Sequence, residues 1–402
     1  MKNIYDSHFL LNENTVIDFV KDKLDIFKNS INLKSKELSD GNINYVFKVW
    51  DEDTDNSVVV KQADDKLRSS GRNLDLNRNK IEYEILKKQN ELVPKYVPKV
   101  YYYDNNMYCM IMEDISEYKN MRYEINKGKI FNNFSKDITT YLVETLLETT
   151  DLIIDRHEKK EKVKLFTNID LCDISEDLVF TEPYYNYKNR NIIVEGLEQF
   201  VEENLYNNQK LHTEVGYLRN RFMNYSQSLI HGDLHSGSIF INQNGIKVID
   251  PEFAFYGPAG YDIGNVIGNL FFSLANKEIT DPENTEYIEW VKNQISEIYD
   301  LFSKKFKNKF KERVKLPIYN NEFMNQYLDE ILSDSLGYAG TEIIRRTVGD
   351  SKVLEVTDIE TVDKYKLHKQ LIELGITLII NRKNIRCGDE IIKQYSTVKI
   401  NR

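Results

Sequence analysis

HGDLHSGSIFINQNGIKVIDPE, His231 to Glu252, is the stretch on which the reading of this chain turns. The whole sequence has only 6 histidines and 7 prolines, yet two of the histidines and one proline fall here, beside Asp233, Asp250 and Glu252. SIFIN and IKVID are apolar, β-branched runs flanking Asn244-Gly245, a dipeptide suited to a tight hairpin turn because both positions tolerate positive φ. Such a hairpin is expected to return Asp250 and Glu252, at the end of its second strand, to the side of Asp233 in the loop before its first. Three gathered carboxylates raise one another's pKa unless a cation lies among them. Hard oxygen donors without a His/Cys cluster favour Mg²⁺, which completes its shell with water and phosphates.

Phosphoryl transfer requires such a metal, an aspartate to orient or deprotonate the accepting hydroxyl, and a cation on the donor phosphates. Asp233 is the candidate base, Asp250 and Glu252 the candidate metal ligands, and Lys61, closing the apolar strand VVVK, the candidate phosphate partner. Glu82, on the following helical segment, is placed to hold Lys61 as an ion pair, with Glu84 the less favoured choice. Asp40-Gly41-Asn42 and Asn44 precede the strand YVFKV, where a glycine lets backbone amides approach phosphates. His231 and His235 are expected to hold the loop by hydrogen bonds. Strand lysine, acidic helix, HGDLH loop and DPE arrive in the order that a protein-kinase-like fold requires.

The rest of the sequence supplies the setting. At 402 residues the chain exceeds one ordinary core, and two lobes are expected. Residues 33 to 115 read as short strands, YVFKVW, SVVVK, YYYD and YCMIMED, interrupted by one helix, RNKIEYEILKKQNEL. Beyond residue 116 long amphipathic segments take over: ITTYLVETLLETTDLIIDRHEKK, EYIEWVKNQISEIYDLFSKKF and MNQYLDEILSDSLGYAGTEIIRRTVG, the last with Gly349 as a stop. The fold class is therefore α+β and two-lobed. A small antiparallel β N-lobe with one main helix, residues 1–115, binds nucleotide. A larger, mainly helical C-lobe, residues 116–402, carries catalysis and the acceptor site. A ligand is expected in the cleft between them.

Formal charge is -10 with 41% hydrophobic and 29% charged residues, a folded composition without the basic surface that nucleic acid binding demands. The three cysteines, Cys109, Cys172 and Cys387, are odd in number and far apart, so they read as reduced thiols in a cytoplasmic protein. The N-terminus lacks the apolar core of a signal peptide, and VIGNLFFSLA is too short to span a bilayer, so no membrane association is expected.

With these pieces assembled, HGDLHSGSIF and IKVIDPEFAFYGPAGYDIGNVIGNLFF resemble the 5-methylthioribose kinases, within the wider group of aminoglycoside and choline kinase-like small-molecule phosphotransferases. DGNINYVFKV, VVVKQA, MEDIS, LCDISEDLVFTEPYYN and GYAGTEIIRR extend the resemblance over most of the chain. It implies that Gly41, Asn44 and Lys61 contact ATP, that the backbone of Glu113, Asp114 and Ile115 binds adenine, and that Asp250 with Glu252 binds Mg²⁺. Asp233 would then receive the proton from the anomeric hydroxyl of the sugar, Arg345 and Arg346 would bind that sugar, and Asp262 would tie the catalytic loop down. A homodimer acting in methionine salvage is implied as well. Ser238, five residues beyond Asp233, is shared with the methylthioribose kinases, where the broader group has Asn. Two segments depart from the family pattern: GRNLDLN stands where GESWPLT is common, and GDSK where GLAH is common. The rival acceptors are therefore 5-deoxyribose, another 5-substituted ribose or another small alcohol, and the rival class is a non-catalytic nucleotide-binding protein.

Overall fold

The computed structural model of the chain describes residues 4–38, 44–66 and 75–400. Two compact units divide it: Met1–Tyr118 with Lys247–Ala254, and Lys119–Ile246 with Phe255–Arg402. The N-terminal unit takes in Lys247–Ala254, which begins within the second strand of the hairpin.

In the N-terminal unit five strands form one antiparallel sheet in the order β1-β2-β3-β5-β4: β1 Leu33–Glu37, β2 Asn44–Asp51, β3 Ser57–Ala63, β4 Val100–Asp104 and β5 Cys109–Glu113. The period of two read from β2 is realised, since Phe47 and Val49 are buried and enter one core with Val58 and Val60 of β3 and Ile111 of β5. Glu13–Lys23 packs into that core through Val16, Phe19 and Val20, so this helix joins Asn77–Leu92 as a second one. Its start is marked by a capping box in which Asn12 Oδ1 accepts from Thr15 N at 3.0 Å and Thr15 Oγ1 accepts from Asn12 N at 2.8 Å.

The C-terminal unit is mostly helical. EYIEWVKNQISEIYDLFSKKF lies within the helix Thr285–Arg313, and the double-arginine segment within Asn321–Val348, followed by Gly349. ITTYLVETLLETTDLIIDRHEKK, expected to be one helix, is two: Phe134–Glu148 and Arg156–Leu165. Thr149 and Thr150 turn their hydroxyls onto backbone carbonyls at the break. Thr149 Oγ1 also accepts from Leu229 N at 2.9 Å, and Asp155 caps the second helix. The hairpin's turn falls on Gln243-Asn244, one residue earlier than expected, and Gly245 opens the second strand, Gly245–Val248.

The close packing of two helices sets the frame for the chemistry. Gly260, Gly264 and Gly268 recur every four residues along Gly260–Thr280 and so share one face. A Cβ at Gly264 would lie 2.5 Å from Ser335 O, and one at Gly268 would lie 3.1 Å from Ala339 O. Those atoms belong to Asn321–Val348, so the two helices approach backbone to backbone. Gly264→Ala is expected to lower stability by about 1–3 kcal/mol through overpacking. Gly268→Ala should cost less, and urea unfolding of the two variants against the parent checks both the size and the order.

Candidate active site

The HGD loop gathers a charged group entirely within the C-terminal unit. Asp262, on the second residue after Gly260 of the glycine-faced helix, is 2% exposed. Its carboxylate accepts from His231 N at 2.7 Å and Gly232 N at 3.0 Å. That pair of bonds holds the loop, with Gly232 at φ +83 supplying the turn. Asp262 thus has the tying role expected of it.

Asp233 follows. Arg345 Nη2 donates to its Oδ1 at 3.2 Å, Arg346 Nη2 lies 3.5 Å from the same oxygen, and His235 Nε2 is 3.5 Å from Oδ2. Partial burial pushes the Asp233 carboxyl up, but His235, Arg345 and Arg346 outweigh it and hold it well below the usual range. Asp233 is a fixed anion.

His235 Nδ1 accepts from Gly237 N at 2.9 Å and Ser238 N at 3.1 Å, so its proton resides on Nε2, facing Asp233. Burial, with Arg122 and Arg346 nearby, depresses the ring to about 4 despite Asp233. His231 Nδ1 accepts from Asp233 N at 3.3 Å. Both histidines therefore hold the loop, as expected from the sequence.

Three further residues complete this group. Glu342, 1% exposed, accepts from Arg345 Nε at 2.6 Å and from Arg346 Nε at 3.0 Å. Asn269 Nδ2 donates to Glu342 at 3.3 Å, and Asn269 Oδ1 accepts from Arg122 Nη2 at 3.0 Å. Arg122 Nε in turn donates to Ser236 Oγ at 3.0 Å. Glu342 had a local signal, standing three and four residues before the arginines on one helix face. Arg122 and Asn269 had none.

The N-terminal unit holds a second group. Val58 and Val60 enter the core, so Lys61 emerges on the other face of β3, where it is 4% exposed. Its ammonium donates to Glu82 Oε1 at 2.7 Å and to the Asp250 carboxylate. Burial works against that charge, but Asp250, Glu82 and Glu252 outweigh it and raise the Lys61 pKa. The Glu82 pairing is the one expected. Asp250 sits in the left-handed region at φ 60, an uncommon place for a residue with a Cβ. Pro251–Phe253 follows at once and packs against Asn77–Leu92.

Glu252 Oε2 accepts from Asn44 Nδ2 at 3.2 Å and lies 3.5 Å from Arg78 Nε, while Arg78 Nη2 donates to Asn44 Oδ1 at 3.0 Å. Arg78 was not singled out in the sequence, although its spacing of four from Glu82 puts both on one helix face. Among the described residues no three or more His, Cys, Asp or Glu side chains are grouped to hold a metal. Mg²⁺ needs no such cage, because one or two carboxylates with phosphate oxygens suffice. Asp250, whose side chain is 48% exposed and paired with Lys61, and Glu252, engaged by Arg78 and Asn44, are the two carboxylates that fit that requirement.

Of the segment expected to bind adenine, Glu113 N donates to Lys99 O at 2.8 Å and Ile115 O accepts from Tyr118 N at 2.8 Å. Asp114 is drawn below its ordinary value: burial raises it, and hydrogen bonds from Lys48, Ser116 and Ser57 reverse that. Gly41, with Asp40 and Asn42, lies outside the described residues, as does GRNL of the divergent GRNLDLN segment. Cys109, Cys172 and Cys387 are free thiols. No helix among the described residues is long and apolar enough to cross a membrane.

Residues 194–290 match the model of a phosphotransferase enzyme family. The fold is similar to that of choline kinase from Cryptosporidium parvum, with a TM-score of 0.50 at 15% identity over 92% of this chain and 98% of that one. The chain thus has a protein-kinase-like fold. Methylthioribose kinase of Bacillus velezensis is 35% identical over 93% of each chain. That of Cronobacter sakazakii is 33% identical over 90% of this chain and 93% of its own. The chain belongs to the methylthioribose kinase family.

The neutral His235 gives a pH dependence whose sign follows from its depressed pKa. The unfolded ring, near 6.5, binds a proton that the folded one refuses until about 4. The stability of the fold is therefore intact above 6.5 and falls as pH drops from there towards 4. Between pH 7 and 5 His235→Asn should lose about 1–2 kcal/mol less than the parent, read by urea unfolding at the two pH values.

Proposed function

We propose that this enzyme transfers the γ-phosphoryl group of ATP to the anomeric hydroxyl of 5-methylthioribose, with Mg²⁺ on the nucleotide. The observation that carries the reading is the charged group at Asp233: an anion held by Arg345 and Arg346 on a loop clamped by Asp262. The relatives named above are methylthioribose kinases and match over nine-tenths of the chain.

Lys61, kept charged by its acidic neighbours, would meet the donor phosphates, and Glu82 would keep it in place. Asp250 would hold Mg²⁺, which neutralises charge on the phosphates. Asn44 and Arg78 would fix Glu252 beside it, and the backbone from Glu113 to Ile115 would receive the base. Asp233 would orient the anomeric hydroxyl and take its proton as the bond to phosphorus forms. Arg345 and Arg346 would bind the sugar, and two guanidinium groups disfavour a cationic acceptor such as choline or an aminoglycoside.

Asp233→Asn is expected to lower kcat by about a hundredfold or more, the scale of a positioned acid-base group; turnover within a few-fold of the parent would remove Asp233 from this role. A kcat/KM series over 5-methylthioribose, 5-deoxyribose, ribose and choline tests the acceptor. The methylthio sugar should lead. A lead for 5-deoxyribose would keep the chemistry and replace the substrate, while nucleotide binding without turnover on any acceptor would end the reading.

A further inference from the structure

Arg345 and Arg346 are consecutive on a helix, and consecutive side chains diverge by about 100°. Two such arginines do not meet on one carboxylate unaided. Here both reach Asp233, and both are turned by the same third group: Glu342, one helical turn earlier, accepts Arg345 Nε on Oε2 at 2.6 Å and Arg346 Nε on Oε1 at 3.0 Å. Each guanidinium is gripped at its Nε edge and turns Nη2 to Asp233, while Arg346 Nη1 donates to Ser351 O at 3.2 Å. A carboxylate has two oxygens, and each is assigned to one arginine.

Glu342 is itself held. Asn269 Nδ2 reaches its Oε1 at 3.3 Å, and Asn269 is fastened through Arg122 to Ser236 of the catalytic loop. One Glu against two Arg also leaves the pair a net positive charge of one beside Asp233. That residual charge is complementary to one anion, whereas an unoffset pair would carry twice as much in a buried place.

We infer that Glu342 is a positioning residue for acceptor phosphorylation, acting through Arg345 and Arg346 to set the geometry at Asp233. The inference rests on the phosphoryl-transfer reading above and not on which sugar is accepted. It makes the two arginines, Glu342 and Asp233 one functional unit. Effects within such a unit are non-additive.

The test compares Glu342→Gln, Asp233→Asn and the double variant, using whichever acceptor the parent phosphorylates fastest. A wrong sugar would then show in the acceptor series and leave this test intact. Glu342→Gln should lower kcat/KM for the acceptor by at least about tenfold with the KM for ATP within twofold of the parent. Added to Asp233→Asn, it should cost less than about threefold more. A full, independent loss in the double variant, or a loss that appears in the KM for ATP, would overturn the inference. Should Glu342→Gln fail to fold, Glu342→Asp decides: it keeps the charge but withdraws the fork by one methylene. An acceptor kcat/KM lowered by about fivefold or more at an unchanged KM for ATP supports positioning; parental activity refutes it.

Discussion

The backbone approach of Gly260–Thr280 to Asn321–Val348 is the constraint on which the catalytic arrangement depends. Nothing larger than glycine fits at position 264, where a Cβ would lie 2.5 Å from a carbonyl oxygen. The same two helices carry charged and polar side chains of the candidate site at their ends and faces. Asp262 and Asn269 stand on the first, while Glu342, Arg345 and Arg346 stand on the second. The spacing that the glycines permit therefore decides whether a loop clamped by Asp262 can present Asp233 to a pair of arginines. Rings seal the packing nearby: Tyr261 and Tyr338 lie 5.3 Å apart, edge to face.

Charge is arranged differently in the two units. In the N-terminal one two buried cations, Lys61 and Arg78, face three acids: Lys61 is paired with Glu82 and Asp250, and Arg78 with Glu252. A surplus of carboxylates leaves a repulsion that a bound cation would answer. In the C-terminal unit three arginines, Arg122, Arg345 and Arg346, are set against Asp233, Glu342 and Glu355.

Much of this was legible in the chain. Alternation in β2, the apolar run ending at Lys61, the helical spacing around Glu82, the HGD tripeptide and the YDIG motif all depend on residues close in sequence. Their local periodicity fixes direction and face without reference to anything distant. The helix Glu13–Lys23 carried a readable cap, Asn12 to Thr15, and the Glu342 spacing was readable too. The hairpin turn shifted by one residue, and one long amphipathic stretch broke at Thr149 because that hydroxyl is bound by Leu229, a partner 80 residues away.

By itself, then, the sequence determined the α+β class and, by resemblance, the family; residue type and short-range pattern pointed to Lys61 and Asp233, and the resemblance pointed to Asp262 and the arginine pair. Only the tertiary structure decided that Arg122 and Asn269 support the arginines, that Arg78 engages Glu252, and that Lys61 is shared between Glu82 and Asp250. Each of those contacts joins side chains dozens to hundreds of residues apart, and a hydrogen bond acts over about 3 Å of space whatever the distance along the chain.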